Sequence, residues 1–245
     1  MNSSSARPFL SKALVDFYRR EGYCVVEGIL NPRECRQFID LAGTLASTQE
    51  IKYVPVMNPD RQLPGFRKLL GHPKVVRCLE ILQQSKIVAL QSMLYYKPPG
   101  SLGRDLHQDN FYAKAEYGTY VGTWLPLEDA DRGNGGLVVY PGSHREPLLE
   151  VTIDEERKAT NTGDFLNDRG SPCAVPSDYS KEYLAVKAGS VVFIHGNLIH
   201  GSEENFSQTR FRRVFAGHYV KEGYSFLPGM HAKRQITPVK SDGTE

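Results

Sequence analysis

Apolar residues recur with a helical period at the start of the chain. Leu10, Leu14 and Phe17 follow that spacing, and Gly22 is well placed to end the helix that they predict. The apolar and β-branched run at 23–30 then predicts a strand. We therefore expect a helix followed directly by a strand.

Two further segments carry helix-starting signals. Residues 31–34 read Asn-Pro-Arg-Glu, which combines a capping asparagine, a first-turn proline and the acidic residue of a capping box. A His-Pro pair at 72–73 begins another helix, which should run to about Gln84. The stretch 53–65 between them is rich in Pro, Asn and Asp and predicts a loop. Residues 1–86 are thus expected to form a mostly helical support.

The pattern changes at residue 87, where short β-branched and aromatic runs alternate with Gly, Pro and Asp turns. These runs lie at 87–96, 105–112, 119–126, 136–140, 184–187, 190–195 and 211–220. Several short strands of this kind predict a mainly β sandwich or barrel, which we place at 87–222. The charged segment 144–182 has little periodicity and predicts a lid-like loop, and 223–245 predicts an irregular tail. Barrels and sandwiches often reach this length as one unit, so 1–245 is expected to be a single domain.

Composition excludes several classes of protein. The chain has 30 Lys and Arg against 28 Asp and Glu, a balance that does not favour a nucleic-acid or membrane-surface partner. Its four cysteines are scattered without a CxxC pair, so neither a zinc ribbon nor a disulfide framework is predicted. The polar start lacks the apolar core of a signal peptide, and no apolar run approaches the ~20 residues that span a bilayer. We expect a cytoplasmic protein.

A His-x-Asp motif, His107-Gln108-Asp109, lies in the predicted strand 105–112. Alternate residues of a strand point to one face, so His107 and Asp109 are expected to reach one metal ion while Gln108 points away. Two histidines and one carboxylate hold non-haem Fe(II) on one face and leave the opposite positions open. The motif alone is a weak signal, because strand histidines are more often simply packed. Its weight depends on a second histidine.

Two downstream histidines, His195 and His200, are candidates for the third ligand. A tight apolar strand at 189–194 leads into them, and Gly196-Asn197 can reverse the chain. His200 then lies on the neighbouring antiparallel strand, where a third ligand is expected, so it is the preferred candidate. His195 is interpreted as a histidine that is hydrogen-bonded near a strand end.

Three arginines, Arg210, Arg212 and Arg213, follow His200. A guanidinium binds a carboxylate through two parallel hydrogen bonds and stays charged away from water. One of these arginines can therefore hold the far carboxylate of 2-oxoglutarate while the 2-oxo acid end binds iron. Arg210 and Arg212 are expected to share one face of the last strand, with Arg213 on the other. Solvated charges at a strand edge are the alternative, but the apolar run at 214–216 favours at least one inward arginine.

Five segments form a longer ordered pattern. They are Tyr-Lys-Pro-Pro-Gly at 96–100, Leu-His-Gln-Asp-Asn-Phe-Tyr at 106–112, Gly-Thr-Trp at 122–124, Gly-Gly-Leu-Val-Val-Tyr-Pro-Gly-Ser-His at 135–144 and Phe-Ile-His-Gly-Asn-Leu-Ile-His-Gly-Ser at 193–202. In this order they resemble the phytanoyl-CoA dioxygenase family, a branch of the Fe(II)/2-oxoglutarate oxygenases. The resemblance covers about 90–220. It implies a double-stranded β-helix, the cupin-like jelly roll, with flanking N-terminal helices.

The resemblance also implies roles for individual residues. His107, Asp109 and His200 correspond to the iron ligands and are the candidate catalytic residues. Family relatives that halogenate lack the carboxylate ligand, so the presence of Asp109 implies a hydroxylase and not a halogenase.

For the cosubstrate, the resemblance matches Ser202 and one arginine to the pair that holds the far carboxylate of 2-oxoglutarate. The span after His200 is one residue longer than usual in the family. Counting back along the last strand favours Arg212, with Arg210 as the alternative. Gln91 and Trp124 match positions that line the cosubstrate pocket, with core packing as their alternative role.

The implied activity uses Fe(II), 2-oxoglutarate and O2 to hydroxylate or otherwise oxidise a small molecule, with release of succinate and CO2. Candidates for the mouth of the site are Asn110, Tyr112, Lys114, Asn167 and Arg169. Their polarity favours a polar substrate, whose identity the sequence leaves open, as it does the oligomeric state. The alternatives are a cupin-like metalloenzyme that does not use 2-oxoglutarate and a non-catalytic member of the family.

Overall fold

Helices dominate the described part of the first third of the chain. This computed structural model describes residues 10–48, 55–151 and 173–243. Its α-helices are α1 (Lys12–Glu21), α2 (Pro32–Thr48), α3 (Pro64–Leu70), α4 (Pro73–Gln83) and α5 (Asn110–Ala113). Within this part of the chain, no helix combines the length and the apolar character needed to cross a membrane.

The end of the first helix and the start of the second lie where they were predicted. The Ser11 side chain accepts a hydrogen bond from the Leu14 amide at 3.2 Å, and α1 ends at Gly22, whose φ of 82° suits glycine. Before α2, Asn31 Oδ1 accepts from the Glu34 amide at 3.0 Å while the Glu34 carboxylate accepts from the Asn31 amide at 2.7 Å. The predicted capping box is confirmed.

The loop predicted at 53–65 is only partly correct. A short strand, a 3-10 turn at Pro59–Arg61 and the start of α3 all fall within it. Phe66 of α3 is fully buried, and its ring stacks on that of Phe215 with centroids 5.7 Å apart. Burial of this aromatic pair outweighs the turn-rich composition of the segment.

Strands form two antiparallel sheets in the described residues. They are β1 (Tyr23–Val26), β2 (Val56–Met57), β3 (Ile87–Lys97), β4 (Arg104–His107), β5 (Tyr120–Pro126), β6 (Leu137–Val139), β7 (Glu182–Tyr183), β8 (Val191–His195), β9 (His200–Ser202), β10 (Arg212–Lys221) and β11 (Thr237–Pro238). The larger sheet has the order β1-β8-β5-β10-β3-β11, with β2 also beside β3, and the smaller has the order β4-β9-β6-β7. The mainly β expectation is confirmed.

One predicted strand forms only in part, and another does not form. The one at 105–112 ends early, because the Asn110 side chain accepts from the Ala115 amide at 2.9 Å and donates to its carbonyl at 3.0 Å, which closes a helical turn. At 184–187 only an isolated bridge between Val186 and Ala130 forms, and β7 precedes it.

Two segments were predicted to lack regular structure. Most of the lid-like loop at 144–182, including Asn167 and Arg169, lies outside the described residues. In the described part of the tail, β11 is a short strand in which Thr237 pairs with Ala89 of β3.

Apolar side chains form two main clusters. One joins α2, α3 and α4 to the outer face of the larger sheet, and it includes Phe66 and Phe215. The other lies between the two sheets and includes Trp124, Leu137 and Ile194. The sheets therefore enclose a space whose walls come from both, and the candidate site lies in it.

Candidate metal centre

Three candidate ligands meet between the sheets. His107 of β4 is directly opposite His200 of β9, with ring centroids 4.4 Å apart. Asp109 Oδ1 lies 3.4 Å from His107 Nε2, and Asp109 Oδ2 lies 3.8 Å from His200 Nε2. One donor atom from each residue lies within 4.8 Å of the others. The structure thus brings together the three residues that the sequence suggested.

Asp109 reaches this position in an unexpected way. β4 ends at His107, and Asp109 has helical backbone angles (φ −56°, ψ −38°) just before α5. The expectation that the two residues share one strand face is therefore wrong. Gln108 does point away: its side chain donates to the Asn197 carbonyl at 2.9 Å and accepts from the Leu149 amide at 2.8 Å. These buried bonds hold the turn that directs Asp109 toward the histidines.

Both candidate histidine ligands are oriented by backbone carbonyls. His107 Nδ1 lies 2.7 Å from the Asp105 carbonyl, and His200 Nδ1 lies 3.0 Å from the Leu198 carbonyl. A carbonyl only accepts, so each Nδ1 carries the proton. Each Nε2 is left with a lone pair that points toward Asp109, which is the tautomer that a metal ligand needs.

His195 is held differently. Its Nδ1 accepts from the Asn197 amide at 3.1 Å, and its ring centroid is 5.0 Å from that of His144. Burial, together with repulsion from His144 and Lys221, lowers the pKa of His195 to about 3. It is a neutral, packed histidine at the end of β8, in agreement with its interpretation from the sequence.

His218 is a site residue that the sequence analysis missed. It lies on β10 of the larger sheet, with Nε2 3.3 Å from Asp109 Oδ2 and Nδ1 3.1 Å from Gln91 Nε2. An ionised carboxylate only accepts, so Nε2 carries the proton and Nδ1 accepts from the Gln91 amide. The available signal was a lone histidine within the apolar strand at 214–220.

Asp109 and His200 have the charge states that metal binding requires. Burial alone would raise the pKa of Asp109, but the imidazoles of His200, His218 and His107 hold it well below its usual range. Burial lowers the pKa of His200 to about 4. At neutral pH Asp109 is therefore a carboxylate and His200 a neutral imidazole, and together with His107 they form a donor set that suits a divalent transition metal.

A buried arginine faces the same cluster. Arg212 of β10 is only 2% exposed, and its Cζ lies 5.9 Å from the centroid of the Trp124 ring. Together with Ser202 it lines a narrow cavity that reaches Asp109. Its Nε has no hydrogen-bond partner, and within the described residues no carboxylate neutralises its charge. Burial lowers the pKa of Arg212 to about 10, which leaves it charged at neutral pH.

Arg210 lies elsewhere, contrary to the expectation that it shares a strand face with Arg212. It precedes β10, is exposed and forms a two-pronged ion pair with Asp131, with both distances 2.8 Å. Arg213 takes the opposite side of β10, as predicted, and pairs with Glu128 at 2.8 Å. Arg212 is therefore the arginine of this group that reaches the candidate site.

A larger cavity of about 520 Å³ opens beside the ligands. Gln91 lines this cavity, whereas Trp124 and Ser202 line the narrow one next to Arg212. Of the residues suggested for the mouth, Tyr112 faces the larger cavity. The side chain of Asn110 is used in the turn, and Lys114 packs over the Phe111 ring with Nζ 4.1 Å from its centroid.

Comparison with known proteins agrees with these features. The family described as phytanoyl-CoA dioxygenase (PhyH) matches residues 18–214. The chain belongs to the phytanoyl-CoA dioxygenase family. The peroxisomal phytanoyl-CoA dioxygenase of Rattus norvegicus is 34% identical over 240 residues, which cover 86% of this chain and 68% of the relative. Phytanoyl-CoA dioxygenase 1 of Oryza sativa subsp. japonica is 32% identical over 199 residues, covering 80% and 68% respectively.

Solved structures share the fold of this member of the phytanoyl-CoA dioxygenase family. The epimerase SnoN in complex with Fe3+, alpha ketoglutarate and nogalamycin RO aligns with a TM-score of 0.74 at 21% identity, over 89% of this chain and 86% of SnoN. EctD from S. alaskensis with 2-oxoglutarate and 5-hydroxyectoine aligns with a TM-score of 0.68 at 22% identity, over 89% and 78%. The predicted cupin-like double-stranded β-helix is confirmed.

Part of the site lies beyond the residues that match the phytanoyl-CoA dioxygenase family. The match ends at residue 214, within β10. His218, which contacts Asp109, and the tail residues that line the larger cavity all follow it. The sequence patterns that reveal the ligands therefore carry little information about these neighbours.

Proposed function

We propose that this chain is an Fe(II)/2-oxoglutarate-dependent oxygenase that hydroxylates a small molecule. One observation carries the proposal: His107, Asp109 and His200 converge beside the buried, uncompensated Arg212. Two imidazoles and a carboxylate are the donor set of non-haem Fe(II) oxygenases. A buried guanidinium without an acidic partner is costly, and the far carboxylate of 2-oxoglutarate would neutralise it. Family membership supports the same activity.

Different residues bind the metal and the cosubstrate. His107 and His200 hold Fe(II) through Nε2, and Asp109 holds it through its carboxylate. Arg212 and the Ser202 hydroxyl bind the far carboxylate of 2-oxoglutarate. When bound, iron and 2-oxoglutarate supply dioxygen activation and the oxidation of a C–H bond, with succinate and CO2 as products.

The protein itself provides orientation and exclusion of water. Trp124, Leu137 and Ile194 line the narrow cavity and form its apolar wall. Such a wall strengthens the electrostatic attraction between Arg212 and a bound carboxylate, because it replaces water with a medium of lower polarity. Halogenating relatives lack the carboxylate ligand. The presence of Asp109 at this position therefore supports hydroxylation over halogenation.

Cosubstrate binding and turnover test the proposal directly. Addition of 2-oxoglutarate to the anaerobic Fe(II) protein should produce a visible absorbance band, and exposure to air should yield succinate. Asp109→Ala should abolish both signals. Asp131→Ala is the matched control, because this acid is exposed and pairs with Arg210. Metal binding without a 2-oxoglutarate-dependent band would instead indicate a cupin-like metalloenzyme of another class.

Product analysis separates hydroxylation from the other reactions that this fold supports. A hydroxylated product is one oxygen atom heavier than the substrate, whereas an epimerised product has the same mass. Absence of succinate formation and of substrate turnover, with the protein loaded with Fe(II), would favour a non-catalytic member of the family.

A further inference from the structure

The outer wall of the larger cavity comes from the C-terminal tail. Gly229, Met230, His231, Ala232 and Arg234 line this cavity together with the candidate ligands His107 and Asp109. Asn58 fastens the segment by donating to the Ala232 carbonyl at 3.0 Å. Arg61 Nη2 donates both to the Lys233 carbonyl at 2.9 Å and to the Leu90 carbonyl of β3 at 3.3 Å. The wall is thus anchored to β3 and to the turn before α3.

Arg234 is the buried residue of this wall. It is 7% exposed, and its Nη1 donates to the carbonyls of Tyr112 and Leu227 at 3.0 and 3.2 Å. Its Nε has no hydrogen-bond partner, and no carboxylate in the described residues pairs with it. Carbonyl contacts fix the guanidinium in place but leave its charge uncompensated, which is unfavourable in a buried position.

The rest of the cavity lining combines apolar and polar side chains with few charged ones. Arg104 adds a second guanidinium, and Asp109 is the sole carboxylate among the described lining residues. On the proposed function, Asp109 is bound to the metal and is not available to neutralise Arg234. The apolar part of the lining includes Met57, Met93 and Met230, flexible side chains that adapt to different apolar bodies.

We infer that Arg234 binds an anionic group, a carboxylate or a phosphate, at the end of the substrate that lies away from the metal. This inference rests on the proposed function, since the oxidised carbon must lie beside the metal cluster. The apolar body of the substrate contacts the methionines, and its charged group compensates the buried guanidinium. A cavity of about 520 Å³ is within the range that holds small metabolites.

Matched probes test this subsite. The holoprotein is prepared under argon with Mn(II) and saturating 2-oxoglutarate, so that Arg212 is already occupied. Calorimetry then measures the Kd of 3-phenylpropanoate, of its neutral amide 3-phenylpropanamide and of phenyl phosphate. We expect the acid to bind at least about 10-fold more tightly than the amide, a difference typical of a charge-assisted hydrogen bond. The phosphate arm shows which anion the subsite prefers.

Two variants separate anion binding from structural support. Arg234→Gln should reduce the acid-to-amide Kd ratio to near unity while leaving the Kd of the amide within about twofold. Arg61→Gln is the matched control, because Arg61 also donates to tail carbonyls but lies outside the cavity lining. It should retain the full ratio.

Three results would overturn the inference: no acid binding by the wild-type holoprotein, equal affinity for acid and amide, or an unchanged ratio in Arg234→Gln. Failure of the proposed function is a separate outcome. It would be seen earlier, as absence of Mn(II) and 2-oxoglutarate binding in the first titration.

Discussion

His218 donates a hydrogen bond to Asp109 across 3.3 Å, from the sheet opposite to the one that carries the two candidate histidine ligands. Gln91 fixes the tautomer by occupying Nδ1 at 3.1 Å. A carboxylate ligand that is held in this way keeps its orientation toward the metal site. His218 is therefore a positioning residue for Asp109.

Loss of this hydrogen bond should weaken metal binding. His218→Leu is expected to raise the Kd for Mn(II) by about 10–100-fold, the usual effect of removing a group that orients a ligand. Titration calorimetry of the apoprotein measures the change. His218→Gln, which can still donate toward Asp109, should stay within a few fold of wild type. Equal Kd values for the Leu variant and wild type would show that Asp109 needs no such support.

Gly122 leaves the space that Asp109 occupies. A Cβ at this position would lie 2.7 Å from Asp109 Oδ2, closer than real Cβ contacts. Gly122→Ala should therefore displace the carboxylate and lower the rate of succinate formation at least about 10-fold, since a misplaced ligand costs catalysis steeply. Gly43→Ala is the control, because nothing lies within 4 Å of a Cβ there. Full activity of Gly122→Ala would contradict the assigned geometry.

The three metal ligands could be predicted because short sequence motifs contain them. The His-x-Asp motif and the downstream histidine are visible without knowledge of the fold, and they lie together in the structure. The backbone of Asp109 was not predictable from strand alternation. It depends on the local turn closed by Asn110 and on the distant partners of Gln108.

The neighbours of the ligands depend on contacts between residues far apart in the sequence. β10 pairs with β5 in a register that sets His218 opposite Gly122, and Asp109 lies beside that glycine; no local pattern specifies this register. The same holds for Arg234, which the irregular tail brings back to the cavity. Charge alone also cannot separate Arg210 from Arg212. Arg212 is buried because it lies within β10, opposite Lys97 of β3, whereas Arg210 lies before the strand and pairs with Asp131.

The two arginines should differ sharply in cosubstrate binding. Arg212→Gln removes the buried charge beside the metal cluster, so the KM for 2-oxoglutarate should rise at least about 10-fold, as expected for loss of a charge-assisted pair. Arg210→Gln breaks only an exposed ion pair with Asp131 and should change KM by less than about twofold. Initial rates of succinate formation over a range of 2-oxoglutarate concentrations decide the matter. A larger effect at Arg210 would reverse the assignment.

His195 should make the fold sensitive to acid. Its pKa is lowered by burial to about 3, from an ordinary value of 6.5. Between these values the unfolded chain binds a proton that the folded chain does not, so stability falls as the pH drops below 6.5. At pH 5 the contribution of this one residue is a loss of about 2 kcal/mol relative to pH 8.

His195→Asn isolates that contribution, because an asparagine oxygen can still accept from the Asn197 amide while carrying no titratable group. The free energy of unfolding, measured by urea denaturation of the apoprotein at pH 8, 7, 6 and 5, should fall less steeply for the variant than for wild type. The gap between the two slopes belongs to His195, since His144 and His200 are present in both proteins. Parallel pH curves would mean that the imidazole at 195 gains its proton in the folded state at little cost.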